Sequence, residues 1–169
     1  MQMKMLKVFS GLIIIIACAP LQSEDQFDIY LVRHSEKIAN AKDPSLTQQG
    51  QLRSQWLAAF FKSKNIDCLY SSDYNRTRET AAYISKSINV DMSLYDARNL
   101  QIIADKLTID KRSCIVVGHS NTTPDLARLL KANDVPDIDE REYSLFYKVS
   151  VAKSQTKFEI LKSQLKTKD

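Results

Sequence analysis

The hydrophobic period of this chain switches repeatedly between two and about 3.6 residues. Residues 27–32 (FDIYLV), 66–71 (IDCLYS) and, more weakly, 90–95 are short β-branched and aromatic runs, and 114–118 (CIVVG) is apolar almost throughout. These predict four strands, and the fourth suits a strand covered on both faces. Residues 47–63 place Leu52, Trp56 and Phe60 four apart, with Leu57 and Phe61 widening the stripe. That spacing predicts an amphipathic helix. Shorter helices are predicted at 76–88, 100–109 and 122–131, the last with Pro124 at an early, tolerated position. Residues 144–151 and 157–161 predict a closing β pair. Strands alternating with helices predict one α/β domain, a three-layer sandwich around a mostly parallel sheet.

The start of the chain follows another pattern. Lys4 and Lys7 precede an apolar run at 8–17, which is too short to span a bilayer as a helix but suits the core of a secretory signal. Ile15-Ile16-Ala17-Cys18 follows, and it resembles a bacterial lipobox. The resemblance implies a signal peptide at 1–17, a lipid on Cys18, a tether at 18–26 and a folded domain at 27–165. It also implies a membrane anchor in the bacterial envelope, facing the periplasm. Ala19 gives a mild preference for the outer membrane. An ordinary signal peptide with an incidental cysteine is the competing reading.

Composition adds little beyond this. Hydrophobic residues make up 44% and charged ones 26% of 169 residues, which sets disordered and fibrous classes aside. The net charge of +4 falls to +2 once Lys4 and Lys7 are removed, and no basic block stands out. Nucleic acid is therefore not an expected partner. Cys68 and Cys114 lie in apolar strand-like runs and read by default as two buried free thiols. Export would permit a bridge between them.

Candidate chemistry falls on one edge. Arg33-His34-Ser35-Glu36 follows the first predicted strand, Ser72 to Arg76 the second, and His119-Ser120-Asn121 the fourth. Ligands of parallel sheets sit beyond the carboxyl ends of the strands. The chain has two histidines, and both lie there. Two arginines and two histidines around one point suit a phosphate dianion. A neutral imidazole among guanidinium groups is a competent nucleophile toward phosphorus and requires no metal or other cofactor. Two distant histidines without paired carboxylates make a poor ligand set for a metal hydrolase.

These motifs resemble the histidine phosphatase superfamily, which includes phosphoglycerate mutases. Arg33-His34-Ser35 looks like its Arg-His-Gly signature, Leu46-Thr47-Gln48-Gln49-Gly50 like its Leu-Thr-x-x-Gly segment, and residues 72–81 (SDYNRTRETA) like its second-arginine segment. Val117-Gly118-His119-Ser120 matches the second-histidine motif. The resemblance implies a phosphoglycerate mutase-like fold, with His34 as the phosphorylated nucleophile. It implies that Arg33, Arg76 and His119 hold the phosphoryl group, with Asn40 a weaker phosphate-binding member of the pocket. Ser35 and Asp73 depart from the usual Gly and Pro.

The general acid is the gap. No Asp follows His119, so Asp96, after the third strand, is the nearest acid on the mutase-like route. Glu36 is a further candidate that reads better as half of an ion pair. The short span between the second helix and the fourth strand leaves no room for a long enclosing insertion, so the site is expected to be open. Hydrolysis is then favoured over mutase chemistry, in the manner of the small phosphohistidine-phosphatase-like branch. The expected partner is a phosphorylated small molecule or phosphoprotein. Two rival readings stay open: a phosphate-binding module without turnover, and a serine hydrolase using Ser120. The second lacks a histidine after the serine.

Overall fold

The computed structural model describes residues 26–153 and 155–165. The segment read as a signal peptide (1–17), Cys18 and most of the expected tether (18–26) lie outside the described residues. Among the described residues, no helix is long and apolar enough to cross a membrane.

The elements alternate as the hydrophobic pattern predicts: β1 (Phe27–Arg33), α1 (Gln48–Phe61), β2 (Cys68–Ser72), α2 (Asn75–Ile88), β3 (Met92–Tyr95), α3 (Leu100–Asp110), β4 (Cys114–Gly118), α4 (Thr122–Leu129), β5 (Leu145–Val151) and β6 (Thr156–Lys162). They form one six-stranded sheet of order β3-β2-β4-β1-β5-β6. The first four strands in that order run parallel, and β5 and β6 add antiparallel to the β1 edge.

Side chains alternate across this sheet. Ile29, Leu31, Tyr70 and Val116 point to one face, where Ile103, Leu107 and Leu126 of α3 and α4 cover them. Tyr30, Val32, Leu69, Ile115 and Val117 point to the other, beneath Leu57, Phe61 and Ile84 of α1 and α2. The sheet is thus buried on both sides, the three-layer arrangement expected.

Helix α1 departs in its rotation. Leu52 is exposed and Trp56 half-buried, while the buried face is Gly50, Arg53, Ser54, Leu57, Ala58 and Phe61. Hydrophobicity alone misplaces the stripe because the first turns pack on polar backbone rather than on the apolar sheet. Thr47 caps the helix, its Oγ1 accepting from Gly50 N at 3.1 Å. A Cβ added at Gly50 would lie 2.2 Å from the Glu36 carbonyl oxygen. The Leu-Thr-x-x-Gly motif therefore lets α1 dock directly against the loop that follows His34.

The default reading of two free thiols is corrected. Cys68 and Cys114 form a disulfide. They are cross-strand partners in the β2–β4 register, so the sheet itself brings the two sulfurs together.

Candidate active site

The three predicted clusters converge at the carboxyl ends of β1, β2 and β4. Arg33 ends β1 and His34 follows it, and each is only 3% exposed. The His34 backbone N–H donates to the Gly118 carbonyl at 3.0 Å, extending the β1–β4 pairing into the site. His119 follows β4, and its ring lies 5.5 Å from that of His34, edge to face. Arg76, in the first turn of α2, donates from Nη2 to His119 Nδ1 at 3.3 Å.

Hydrogen bonds fix how each ring carries its proton. His34 Nδ1 lies 2.8 Å from the Ser35 carbonyl. A carbonyl only accepts, so Nδ1 holds the proton and Nε2 keeps its lone pair. His119 is the reverse: Nδ1 accepts from Arg76, and Nε2 donates to Ser72 Oγ at 2.9 Å. Burial lowers the His34 pKa to about 3, with the charges of Arg33, His119 and Arg76 acting in the same direction and the Ser35 bond opposing them. His119 is lowered to about 4, by burial first and then by Arg76 and Arg33. Both rings are therefore neutral at ordinary pH.

The residues around His34 form a supporting shell. Ser35, in place of the usual Gly, is fully buried, its N–H on Thr80 Oγ1 at 3.0 Å and its Oγ accepting from Ser54 at 2.9 Å. Glu36 pairs with Arg53 at 2.6 Å, the structural ion pair its surroundings suggested. Gly118 is required for packing: a Cβ there would lie 2.7 Å from Thr122 Oγ1 and 2.9 Å from the Tyr95 hydroxyl. Asp73, at the usual Pro position, is exposed and pairs with Arg78.

Two tyrosines that sequence reasoning missed back the arginines. The Arg33 guanidinium stacks on Tyr143 at 4.1 Å, and that of Arg76 on Tyr74 at 4.6 Å. Tyr74 follows the β2 motif, whereas Tyr143 comes from the loop between α4 and β5, which carries no motif. Arg33 also clasps that loop. Its Nη1 donates to the Asp139 and Glu142 carbonyls at 2.8 and 2.7 Å, and its Nη2 to that of Glu140 at 2.6 Å. The Nε atoms of Arg33 and Arg76 are buried without a partner. Buried donors are rarely left so, and an anion beside His34 is the natural acceptor for both.

The cleft holds about 610 Å³ and opens to solvent, lined by Arg33, His34, Arg76 and His119 with Lys37, Tyr74, Arg98, Ser120, Glu140, Arg141 and Tyr143 among its walls. Asn40 is not among them; it is exposed, in a turn with φ 61°. Asp96 is not brought to the cleft either. Its carboxylate faces solvent and pairs with Arg98 at 3.0 Å, which holds it below the usual carboxylate range.

The arrangement can hold a tetrahedral oxyanion between two guanidiniums, with an unprotonated imidazole nitrogen beside it. Among the described residues, no group of three or more His, Cys, Asp and Glu side chains clusters as metal ligands would.

Comparison with known proteins agrees with this geometry. Residues 29–99 match the family model described as histidine phosphatase superfamily (branch 1). A "Probable phosphoglycerate mutase GpmB" of Cronobacter sakazakii is 26% identical over 131 residues, 67% of this chain and 58% of that protein. A "Probable phosphatase" of Schizosaccharomyces pombe is 31% identical over 83 residues, 44% of this chain and 29% of that protein. The matches thus span well under two thirds of these curated relatives. Among solved structures, the protein histidine phosphatase SixA with tungstate superposes with a TM-score of 0.67 at 17% identity, covering 81% of this chain and 97% of that one. A mycobacterial glucosyl-3-phosphoglycerate phosphatase gives 0.64 at 11% identity, covering 82% and 99%. The histidine phosphatase resemblance holds at two levels, in the motifs of the first half and in the fold of the described domain.

Proposed function

We propose that this chain, with its histidine phosphatase motifs and fold, is a metal-independent phosphatase that works through a phosphohistidine on His34. The observation that carries the reading is the His34 ring itself: buried, neutral, with Nε2 unprotonated, and flanked by two arginines that each keep a spare buried donor. Substrate phosphoryl oxygens would bind between Arg33 and Arg76. His34 Nε2 would attack phosphorus in line with the leaving group. The fixed cations would offset charge on the equatorial oxygens as it develops. Water would then discharge the phosphohistidine.

Phosphate monoesters and phosphoramidates both suit such a site. The near-complete overlap with the short SixA chain supports phosphohistidine on a protein as one substrate, and the open cleft would admit a phosphorylated side chain. We further propose that Cys18 carries a lipid that tethers the domain in the bacterial envelope. The Cys68–Cys114 bridge supports an oxidising compartment. Cys18→Ala, compared with wild type by incorporation of a labelled fatty acid, tests the anchor.

The principal test is acid-labile labelling of the purified domain by a phosphorylated substrate, with and without chelator. Labelling and phosphate release should survive chelation and vanish in His34→Ala. A wild type with neither label nor release, yet with saturable phosphate-ester binding, would instead establish the phosphate-binding module, a reading favoured by the misplaced Asp96. The serine hydrolase reading weakens because both ring nitrogens of His119 are already engaged, leaving none for Ser120.

A further inference from the structure

The proposed chemistry needs a proton for the leaving group and a base for the incoming water, and the acids near the site can be taken in turn. Asp96 is not among the cleft-lining residues and is paired with Arg98. Glu36 is held by Arg53. Asp43 accepts from the Asn75 N–H and pairs with Arg76. Glu79 accepts from the Leu46 N–H. In the loop between α4 and β5, Asp137 pairs with Arg128, Asp139 with Arg141, and Glu142 accepts from the Ser144 N–H.

One carboxylate is left. Glu140 is the single acid among the residues lining the cleft; its carboxylate acts on Arg33 through its charge, with no hydrogen bond or close ion pair among the described residues. Its backbone is nevertheless fixed. Arg33 donates to its carbonyl at 2.6 Å and to the carbonyls of Asp139 and Glu142 on either side. The arginine next to His34 thus anchors the segment that carries Glu140, an exposed residue on the cleft wall.

We infer that Glu140 is the general acid–base of the reaction, delivered by a loop that Arg33 pins beside the nucleophile. This rests on the phosphohistidine reading. In the first step, His34 Nε2 forms a bond to phosphorus as the P–O bond to the leaving oxygen breaks. The Glu140 carboxyl gives its proton to that oxygen. In the second, the carboxylate takes a proton from water as the water oxygen bonds to phosphorus. The P–N bond breaks, and its electron pair returns to Nε2.

The test is leaving-group dependence in Glu140→Gln, with Glu140→Asp as the conservative variant. An aryl phosphate such as p-nitrophenyl phosphate leaves without protonation; an alkyl phosphate does not. General acid catalysis contributes on the order of 100-fold or more. For the alkyl ester, kcat/KM should fall about 100-fold in Glu140→Gln, and for the aryl ester at least tenfold less. Phosphorylated enzyme should accumulate with the aryl ester, because the second step loses its base. Glu140→Asp should recover part of both effects. Equal losses on both esters, or no loss on either, would overturn the assignment while leaving the phosphohistidine reading standing. A wild type that is never labelled on His34 would overturn both.

Discussion

His119 Nε2 donates to Ser72 Oγ at 2.9 Å, a bond that ties the end of β4 to the end of β2. Ser72 Oγ in turn donates to Thr77 Oγ1 at 3.1 Å, so the ring is held by a chain reaching into α2. Ser72 fixes which nitrogen of His119 faces Arg76, and through it the position of that guanidinium.

Ser72→Ala should therefore weaken phosphate capture without removing the nucleophile. Loss of one buried hydrogen bond corresponds to about 1 kcal/mol, hence roughly a five- to tenfold fall in kcat/KM. Most of it should appear in KM. His34 labelling should persist at saturating substrate, and steady-state kinetics with single-turnover labelling checks both.

The two neutral histidines make stability depend on pH. Unfolded histidine titrates near 6.5, whereas His34 and His119 titrate at about 3 and about 4. Between those values the unfolded chain binds more protons than the folded one. Stability should be level above about pH 7 and fall as pH drops below 6.5, by about 1.4 kcal/mol per unit for each ring. The fall ends once the folded rings protonate. Denaturant midpoints between pH 8 and pH 5 measure the slope, and His119→Asn should reduce it.

Gly50→Ala is a packing test. Its Cβ would meet backbone, the Glu36 carbonyl oxygen at 2.2 Å, and not a side chain that can swing aside. Overpacking of this kind costs about 1–3 kcal/mol. The displaced loop also carries Ser35, so activity should fall together with the thermal midpoint.

Much of this was legible in advance. The element order, the closing β pair and the convergence of His34, Arg33, Arg76 and His119 follow from period and from motifs placed at strand ends. What stayed hidden has physical reasons. The inward face of α1 is polar at its start, so Leu52 misled. Asp96 sits at a sheet edge, where sequence proximity to a strand end does not guarantee proximity to the cleft. Tyr143 and Glu140 reach the site through a loop whose position depends on backbone carbonyls, and carbonyls leave no trace in a sequence. The pairing of Cys68 with Cys114 depends on strand register, which spacing alone does not supply.

The disulfide gives a fourth prediction. It closes a loop of 46 residues containing β2, α2, β3 and α3. Chain-entropy reasoning gives such a bridge about 4 kcal/mol. Reduction, or the Cys68→Ala/Cys114→Ala double variant, should lower the denaturation midpoint accordingly. The bridge lies at the amino ends of β2 and β4, opposite the cleft, so kcat at low temperature should change little.

The open mouth of the cleft governs what a phosphorylated intermediate can do next. Under the proposed mechanism, bulk solvent would reach the phosphorus as freely as any departed alcohol, and the first product would not be confined nearby during the second step. Competing hydroxyl compounds would then share the phosphoryl group only in proportion to their abundance. On the phosphohistidine reading, so open a cleft would favour discarding the removed group over returning it to a neighbouring position on the same substrate.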